Sequence, residues 1–316
     1  MSTVNEFQFL ANLKSKYSLD KIGDDCAVLP KDADIDLLLT ADMMVEDIDF
    51  RLEWTRPEFL GHKALAVSLS DIAAMGGEPK WAMLSLGIPE NLWNTNFTDK
   101  FYAGWFALAN EFGVELVGGD ISRVPDKLVI DSIVGGEVPK GKAVMRSGAK
   151  PGDAIYVTGS LGGAAGGLKL LERGDKNQLN TRISTADVIV RQLKPAPQLY
   201  IANILQSLEI TSSMIDISDG LSSDLFHICK QSGVGAKIYA DRLPIDAGLR
   251  DYFDTDESLE MAITGGEDFE LLFTVSPLHL EHVPGTRIGE ITDNEIEIVK
   301  DGKIRPLEPK GYEHFS

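Results

Sequence analysis

The stretch Ile215-Asp216-Ile217-Ser218-Asp219-Gly220-Leu221 decides how this chain is read. Its first half continues Met214 as an apolar strand. Its second half opens a segment whose apolar positions Leu221, Leu225 and Ile228 recur at helical spacing. Two carboxylates and a hydroxyl therefore sit at a strand-to-helix junction, where Gly220 lets the backbone turn tightly. Asp219 has two readings, as the N-cap of that helix or as a ligand-bearing side chain. Similar groupings lie upstream, in Gly23-Asp24-Asp25, Thr40-Ala41-Asp42, Ser70-Asp71 and Gly118-Gly119-Asp120. Carboxylates gathered at element ends, with no compensating bases beside them, point to hard cations. Mg²⁺ takes oxygen ligands and shares its shell with water or substrate phosphates.

Composition narrows the class. With 316 residues, 43% apolar and 25% charged, the chain has the length of two ordinary domains and the make-up of a globular protein. No apolar run approaches the ~20 residues of a membrane span. The start Met1-Ser2-Thr3-Val4-Asn5-Glu6 shows no basic region followed by an apolar one, so no signal peptide is expected. Cys26 and Cys229 make no disulfide framework, and no Cys/His cluster has zinc-ligand spacing. A cytoplasmic protein is expected. A net charge of −19 argues against nucleic acid or an anionic membrane as partner. An acidic chain can still bind a nucleotide when metal ions stand between the anions.

Patterning predicts alternating helices and strands, an α/β chain in two domains. Helices are expected over 5–16, 55–75, 95–112, 168–172, 185–193 and 198–207, besides the one that opens at Leu221. Strands are expected over 26–29, 35–39, 81–87, 114–117, 128–134, 154–158, 236–239, 271–275, 295–299 and 303–306. Thr55 reads as an N-cap, with Glu58 closing a capping box and Pro57 in the first turn. Asp71 falls in line with Leu60, Ala64 and Val67; a carboxylate on an apolar stripe must be paired with a buried base or bound to metal. The glycine-rich run from Gly159 to Gly167 fits neither G-x-G-x-x-G nor a P-loop, and reads as a tight strand-to-helix turn with small-residue packing. Asp301-Gly302 reads as a hairpin turn. Gly135-Gly136 and the stretch 139–142 look like the exit from the first domain, giving domains over 1–137 and 138–316. Gly265-Gly266-Glu267-Asp268-Phe269 resembles the G-G-[DE]-E-F signature of diguanylate cyclases, but its fourth position is Asp and nothing upstream supports that reading. His62, His227, His279, His282 and His314 show no metal spacing.

The aspartate motifs together resemble the thiamine-monophosphate kinase family, in the superfamily of aminoimidazole ribonucleotide synthetase and selenophosphate synthetase. The resemblance spans nearly the whole chain. It is carried by Ile22-Gly23-Asp24-Asp25-Cys26-Ala27, the stretch from Lys63 through Ser70-Asp71 to Gly76, and Val117-Gly118-Gly119-Asp120. It continues in Arg146-Ser147-Gly148-Ala149-Lys150-Pro151-Gly152-Asp153, the 215–221 junction, Gly265-Gly266-Glu267-Asp268-Phe269-Glu270, and Gly311-Tyr312-Glu313-His314-Phe315.

This resemblance implies an N-terminal α/β domain that pairs across a homodimer into a barrel-like sheet, and a C-terminal α/β domain covering the active-site cleft. It implies transfer of a phosphoryl group from ATP to thiamine monophosphate with several Mg²⁺ ions. The implied metal ligands are Asp25, Thr40, Asp42, Asp71, Asp120, Asp216 and Asp219. The implied ATP contacts are Tyr102, Gly119, Asp120, Arg146 and Ser218, and the implied substrate contacts are Asp49, Glu267 and Tyr312. No catalytic side chain is expected, because a phosphate acceptor is already anionic and phosphoryl transfer needs positioning and charge neutralisation. Ala41, Ile121 and Gln198 depart from the family's usual residues. Selenophosphate synthetases carry a reactive Cys in a glycine-rich N-terminal segment, whereas Cys26 follows Gly-Asp-Asp in an expected strand. A non-catalytic binding protein would have lost a key aspartate, and none is lost.

Overall fold

The computed structural model describes residues 6–174 and 188–314. Expectations for residue 5, the side chain of Phe7, 185–187 and Phe315 lie outside the described residues. The first half runs α1 (Glu6–Tyr17), β1 (Ala27–Pro30), β2 (Ile35–Val45), α2 (Pro57–Ala74), β3 (Glu78–Pro89), the short α3 (Glu90–Trp93), α4 (Phe97–Phe112), β4 (Glu115–Val124) and β5 (Val129–Pro139). The second half opens with β6 (Ala154–Val157), α5 (Gly163–Glu172), α6 (Val188–Leu193), α7 (Leu199–Leu208), β7 (Thr211–Asp216) and α8 (Leu221–Ser232). It closes with β8 (Gly235–Tyr239), α9 (Thr255–Thr264), β9 (Leu271–Val275), β10 (Thr286–Thr292), β11 (Ile296–Lys300) and β12 (Lys303–Pro306).

Each half owns one mixed sheet. The first is five-stranded in the order β1-β2-β5-β3-β4, antiparallel except for the parallel β3–β4 pair at its edge. The second is seven-stranded in the order β12-β11-β8-β10-β6-β9-β7, with one parallel pair, β11–β8. Among the described residues both sheets are open, so the barrel expected of the first is not closed within one chain. A core cluster runs continuously from Leu38, Leu65 and Trp105 in the first half to Leu205, Met214 and Phe273 in the second.

The helix α2 links the halves. From Leu60 to Ala74 every residue except Asp71 is buried, so the helix is apolar nearly all round. Such a helix must be surrounded by protein. It meets β2, β5 and α4 on one side and β7, α6 and α7 on the other. The crossing with α4 is close: a Cβ at Gly104 would lie 1.8 Å from the Glu58 carbonyl oxygen, and one at Gly61 would lie 1.9 Å from that of Phe101. Two glycines, one on each helix, let the backbones touch.

Several boundaries differ from expectation for local reasons. Helix α2 begins at Pro57 with Arg56 as N-cap and no side-chain cap bond; Thr55 is buried instead, and the expected capping box is absent. Strand β2 runs on through Thr40-Ala41-Asp42, which is therefore mid-strand and not an element end. Gly118-Gly119-Asp120 likewise lies inside β4, an exposed edge strand where a short buried one was expected. Helix α5 starts within the glycine run: Gly166 packs under Leu249 and Gly167 against the Val188 carbonyl, so the glycines serve close packing. The strand β10 and the helix α9, which Asp254 and Glu257 cap as a box, went unread in the sequence. The Asp301-Gly302 hairpin forms between β11 and β12, both residues with positive φ.

The helix crossing gives a direct stability test. Gly104→Ala should cost about 1–3 kcal/mol, the usual range for overpacking a filled core, and should lower the melting temperature by several degrees. Ala103→Ser on the exposed face of α4 serves as control; an unchanged melting temperature for Gly104→Ala would refute the close crossing.

Candidate active site

Three carboxylates from separate elements meet where the halves join. Asp25, just before β1, Asp71 near the end of α2 and Asp216 at the end of β7 each place an oxygen within 4.8 Å of the others. The pleat of β2 adds two more groups. Residues 36, 38, 40 and 44 are buried on one face, and period two puts Asp42 on that same face, toward α2. Thr40 Oγ1 donates to Asp71 Oδ2, and Ser68 Oγ donates to Asp42 Oδ2 at 2.7 Å. Ser70 Oγ reaches across from α2 to Asp216 Oδ2 at 2.7 Å. The helix α2 thus supplies one carboxylate and two orienting hydroxyls. Ser70 was read only as part of the Ser70-Asp71 grouping, and Ser68 was not singled out, though it shares the Ala64–Asp71 face at helical spacing.

Crowded like charge shows in the titration of these groups. Burial pushes the Asp71 carboxyl well above the usual carboxylate range, and Asp42, Asp216 and Asp25 push it further. Asp216 is raised to about 7 by burial and then by Asp25. Asp42 is raised by burial, against the hydrogen bond from Ser68. Asp25 is raised by burial and held back by Arg146, whose Nη2 lies 2.7 Å from Oδ1. Arg146 is thus a cationic partner for Asp25, although no base stands beside Asp25 in the sequence. Its backbone N–H also donates to Asp24 at 2.8 Å. Among the described ion pairs none involves Asp71, Asp216 or Asp42, so a buried base is not how the stripe carboxylate of α2 is tolerated. A set of oxygen donors with one arginine and a surplus of negative charge fits Mg²⁺.

The 215–221 junction is built as the sequence suggested, with one change. Gly220, at φ +126°, is the N-cap of α8, and a Cβ there would lie 2.8 Å from the Thr264 carbonyl oxygen. Asp224 accepts the Gly220 N–H at 2.9 Å. Asp219 is therefore not the cap, and its side chain is free to face the adjoining cavity. Burial raises it to about 6, with Glu6 adding to the effect.

That cavity, about 500 Å³, is bordered by Asp42, Ser218 and Asp219 on the carboxylate side. Its far wall is apolar, with Ile48, Phe50, Trp54, Leu168 and Leu171, and Arg51 stacked 4.6 Å from the Trp54 ring. Between these poles stand Asp49, Glu267, Tyr312 and His314. Asp49 accepts the Val45 N–H at 2.7 Å, Tyr312 donates its N–H to the Asp219 carbonyl at 3.2 Å, and the Tyr312 and His314 rings meet edge-on at 4.9 Å. Lys63, Gln192 and Trp54 line the same space and were missed in the sequence, because their partners lie on distant elements.

The remaining expected residues lie elsewhere. Asp120 is exposed on β4 opposite Ser85, on the face away from α2, and Gly119 precedes it. Tyr102, half-buried on α4, packs edge-on against Phe101 at 5.7 Å. Neither Asp120 nor Tyr102 borders the cavity described above. Ala41 and Ile121 are exposed on β2 and β4, and Gln198 is the N-cap of α7. His62 is buried, donates Nε2–H to the Pro195 carbonyl at 2.7 Å, and burial lowers it to about 4; burial lowers His227 to about 4 as well. Both are neutral at physiological pH.

Comparison with known proteins bears on the fold and the family. Residues 23–138 match the AIR synthase related protein, N-terminal domain, and residues 150–301 match the AIR synthase related protein, C-terminal domain. Thiamine-monophosphate kinase of Salmonella typhimurium is 40% identical over 93% of this chain and 91% of its own length. That of Bacillus subtilis is 39% identical over 93% of each chain. The solved structure described as AaThiL complexed with AMPPCP and TMP superposes with a TM-score of 0.88 at 33% identity, covering 100% of this chain and 98% of that one. With two AIR-synthase-related domains in series and near-full-length likeness to these enzymes, the chain belongs to the thiamine-monophosphate kinase family.

Proposed function

We propose that this protein transfers the γ-phosphoryl group of ATP to the phosphate of thiamine monophosphate, giving thiamine diphosphate and ADP. The observation that carries the reading is the cluster of Asp25, Asp71 and Asp216, which sits at the junction of the halves near a cavity bearing Asp49, Glu267 and Tyr312. The AMPPCP and TMP of the AaThiL structure support both substrates. An oxygen of the acceptor phosphate attacks the γ-phosphorus in line with the departing ADP oxygen. That oxygen is already anionic, so no side chain has to take a proton from it, in keeping with buried His62 and half-buried His227, both neutral.

The metal ligands in this proposal are Asp25, Thr40, Asp42, Asp71, Asp120, Asp216 and Asp219. Several Mg²⁺ ions bound there would offset the charge of the meeting phosphates. The protein's own part is to orient the carboxylates through Ser68, Ser70 and Thr40, and to add the Arg146 charge beside Asp25. ATP would be held by Tyr102, Gly119, Asp120, Arg146 and Ser218. The thiamine end would lie among Asp49, Glu267 and Tyr312, where the negative wall suits a cationic thiazolium ring. Domains over 1–137 and 138–316, the second covering the cleft, complete the proposal.

Assembly belongs to it as well. The edge strand β4 exposes Val117 and Ile121, and Met43 and Met83 are exposed on the same sheet. A long bare edge with apolar side chains invites a second copy. A homodimer that pairs these sheets would cover it and could bring Asp120 of one protomer into a shared site. No helix of the described residues is long and apolar enough to cross a membrane. We place the protein in the cytoplasm, with ATP and thiamine monophosphate as partners and no nucleic acid or membrane.

Phosphorus NMR of the protein with ATP, Mg²⁺ and thiamine monophosphate should show thiamine diphosphate and ADP growing together; thiamine alone serving as acceptor would overturn the reading. Asp71→Asn and Asp216→Asn should each lower kcat by at least about 10²-fold, the scale for losing one electrostatic stabiliser. His227→Gln should stay within about tenfold, below the usual ~10²–10⁴-fold cost of a lost general base. Light scattering should give a dimer for the wild type and a monomer for Ile121→Lys; a monomeric wild type at assay concentration would refute the pairing.

A further inference from the structure

Lys63 is the least expected charge in the cavity. It projects from the second turn of α2, and its side chain is 3% exposed. A buried ammonium is tolerated only when its charge is matched and its donors are used. Nζ lies 2.7 Å from Glu267 Oε1 and 3.3 Å from the Gln192 carbonyl oxygen. The other oxygen of Glu267 accepts from the Gln192 side-chain amide. One carboxylate is therefore gripped by α2 on one side and α6 on the other.

The backbone beneath it is fixed as well. Glu267 has φ +66°, a conformation that non-glycine residues rarely adopt. It is kept there by its N–H donating to the Ser218 carbonyl at 2.8 Å and by that of Phe269 donating to Ile217 at 2.9 Å. The side chain beyond is 31% exposed, so without its two clamps it would rotate into water. It also faces Asp49, a like charge across the cavity, which would drive it away. Lys63 opposes both tendencies, yet its burial leaves it little surface to offer a ligand.

We infer that Lys63 is a positioning residue for acceptor recognition: it acts through Glu267, holding that carboxylate turned into the cavity and set against Asp49. This rests on the reading that the cavity receives thiamine monophosphate. The polar edge of the acceptor's heterocycle then meets a carboxylate whose orientation is fixed before binding, which spares the cost of ordering it.

The test is a double-mutant cycle on the full-length protein. Wild type, Lys63→Met, Glu267→Gln and the double variant are compared by steady-state kinetics and by calorimetric binding of thiamine monophosphate. Lys63→Met should raise the KM for thiamine monophosphate about tenfold or more and weaken its binding in step, while the KM for ATP stays put. In the Glu267→Gln background the same change should add little, and Lys63→Arg should recover part of the loss. Additive losses, or equal losses for ATP and acceptor, would overturn the proposal. Should Lys63→Met fail to fold, Lys63→Gln, which keeps a donor without the charge, runs the same cycle. A wild type that binds no thiamine monophosphate would overturn the functional reading and this inference with it. A binding-competent wild type with an additive cycle sinks the inference alone.

Discussion

The arrangement depends on like charges held face to face. Asp25, Asp71 and Asp216 come from a loop, a helix and a strand that are distant in sequence, and they converge where the two halves of the chain meet. Bringing them together out of water costs free energy, which the metal-free protein offsets by protonation and by hydroxyl donors. Ser68, Ser70 and Thr40 each spend a hydroxyl on one carboxylate. Arg146 pairs directly with Asp25 and lends its charge at longer range to Asp216 and Asp71. The remaining surplus of negative charge is what suits the cluster to the metal role proposed above.

The helix α2 makes the convergence possible. It is apolar nearly all round, it touches both sheets, and it carries Lys63, Ser68, Ser70 and Asp71 on successive turns. The cavity and the carboxylate cluster are thus referenced to one rigid element. The glycine contact with α4 holds that element against the first half, and the Ser70–Asp216 bond ties it to the second. Displacing the helix would disturb both the cavity and the cluster.

Much of this was legible in the sequence because the signals are local. The 215–221 junction, the helical face bearing Asp71 and the Asp301-Gly302 hairpin each depend on residues a few positions apart. Other expectations failed where distant structure decided the outcome. Thr40 and Asp42 read as an element end, yet pairing with β5 carries β2 past them. Of the two readings open for Asp219, the cap falls away because Gly220 is the N-cap and Asp224 takes its N–H. The strand β10 is short of a strong alternating pattern and owes its place to β6 and β8 on either side. Lys63 and Glu267 meet only because the halves fold together, which no spacing rule encodes.

On the proposed function, the carboxylate cluster is a cation site whose mutual repulsion metal relieves. A carboxyl that titrates higher in the folded protein than in the unfolded chain takes up protons on folding. Asp216, at about 7, belongs to that class, and Asp71 lies well above its ordinary value. Their contribution to stability is therefore greatest at acid pH and is lost as pH rises from about 4, the unfolded value, through the folded values. The most direct measurement is thermal unfolding of metal-free protein at pH 5.5 and pH 8, with and without Mg²⁺, for wild type and Asp71→Asn. The wild type should lose melting temperature at pH 8 and regain it with Mg²⁺. The Asp71→Asn variant should be less sensitive to both. A wild type whose melting temperature at pH 8 ignores Mg²⁺, or a variant that responds to Mg²⁺ as fully as the wild type, would contradict the cation site.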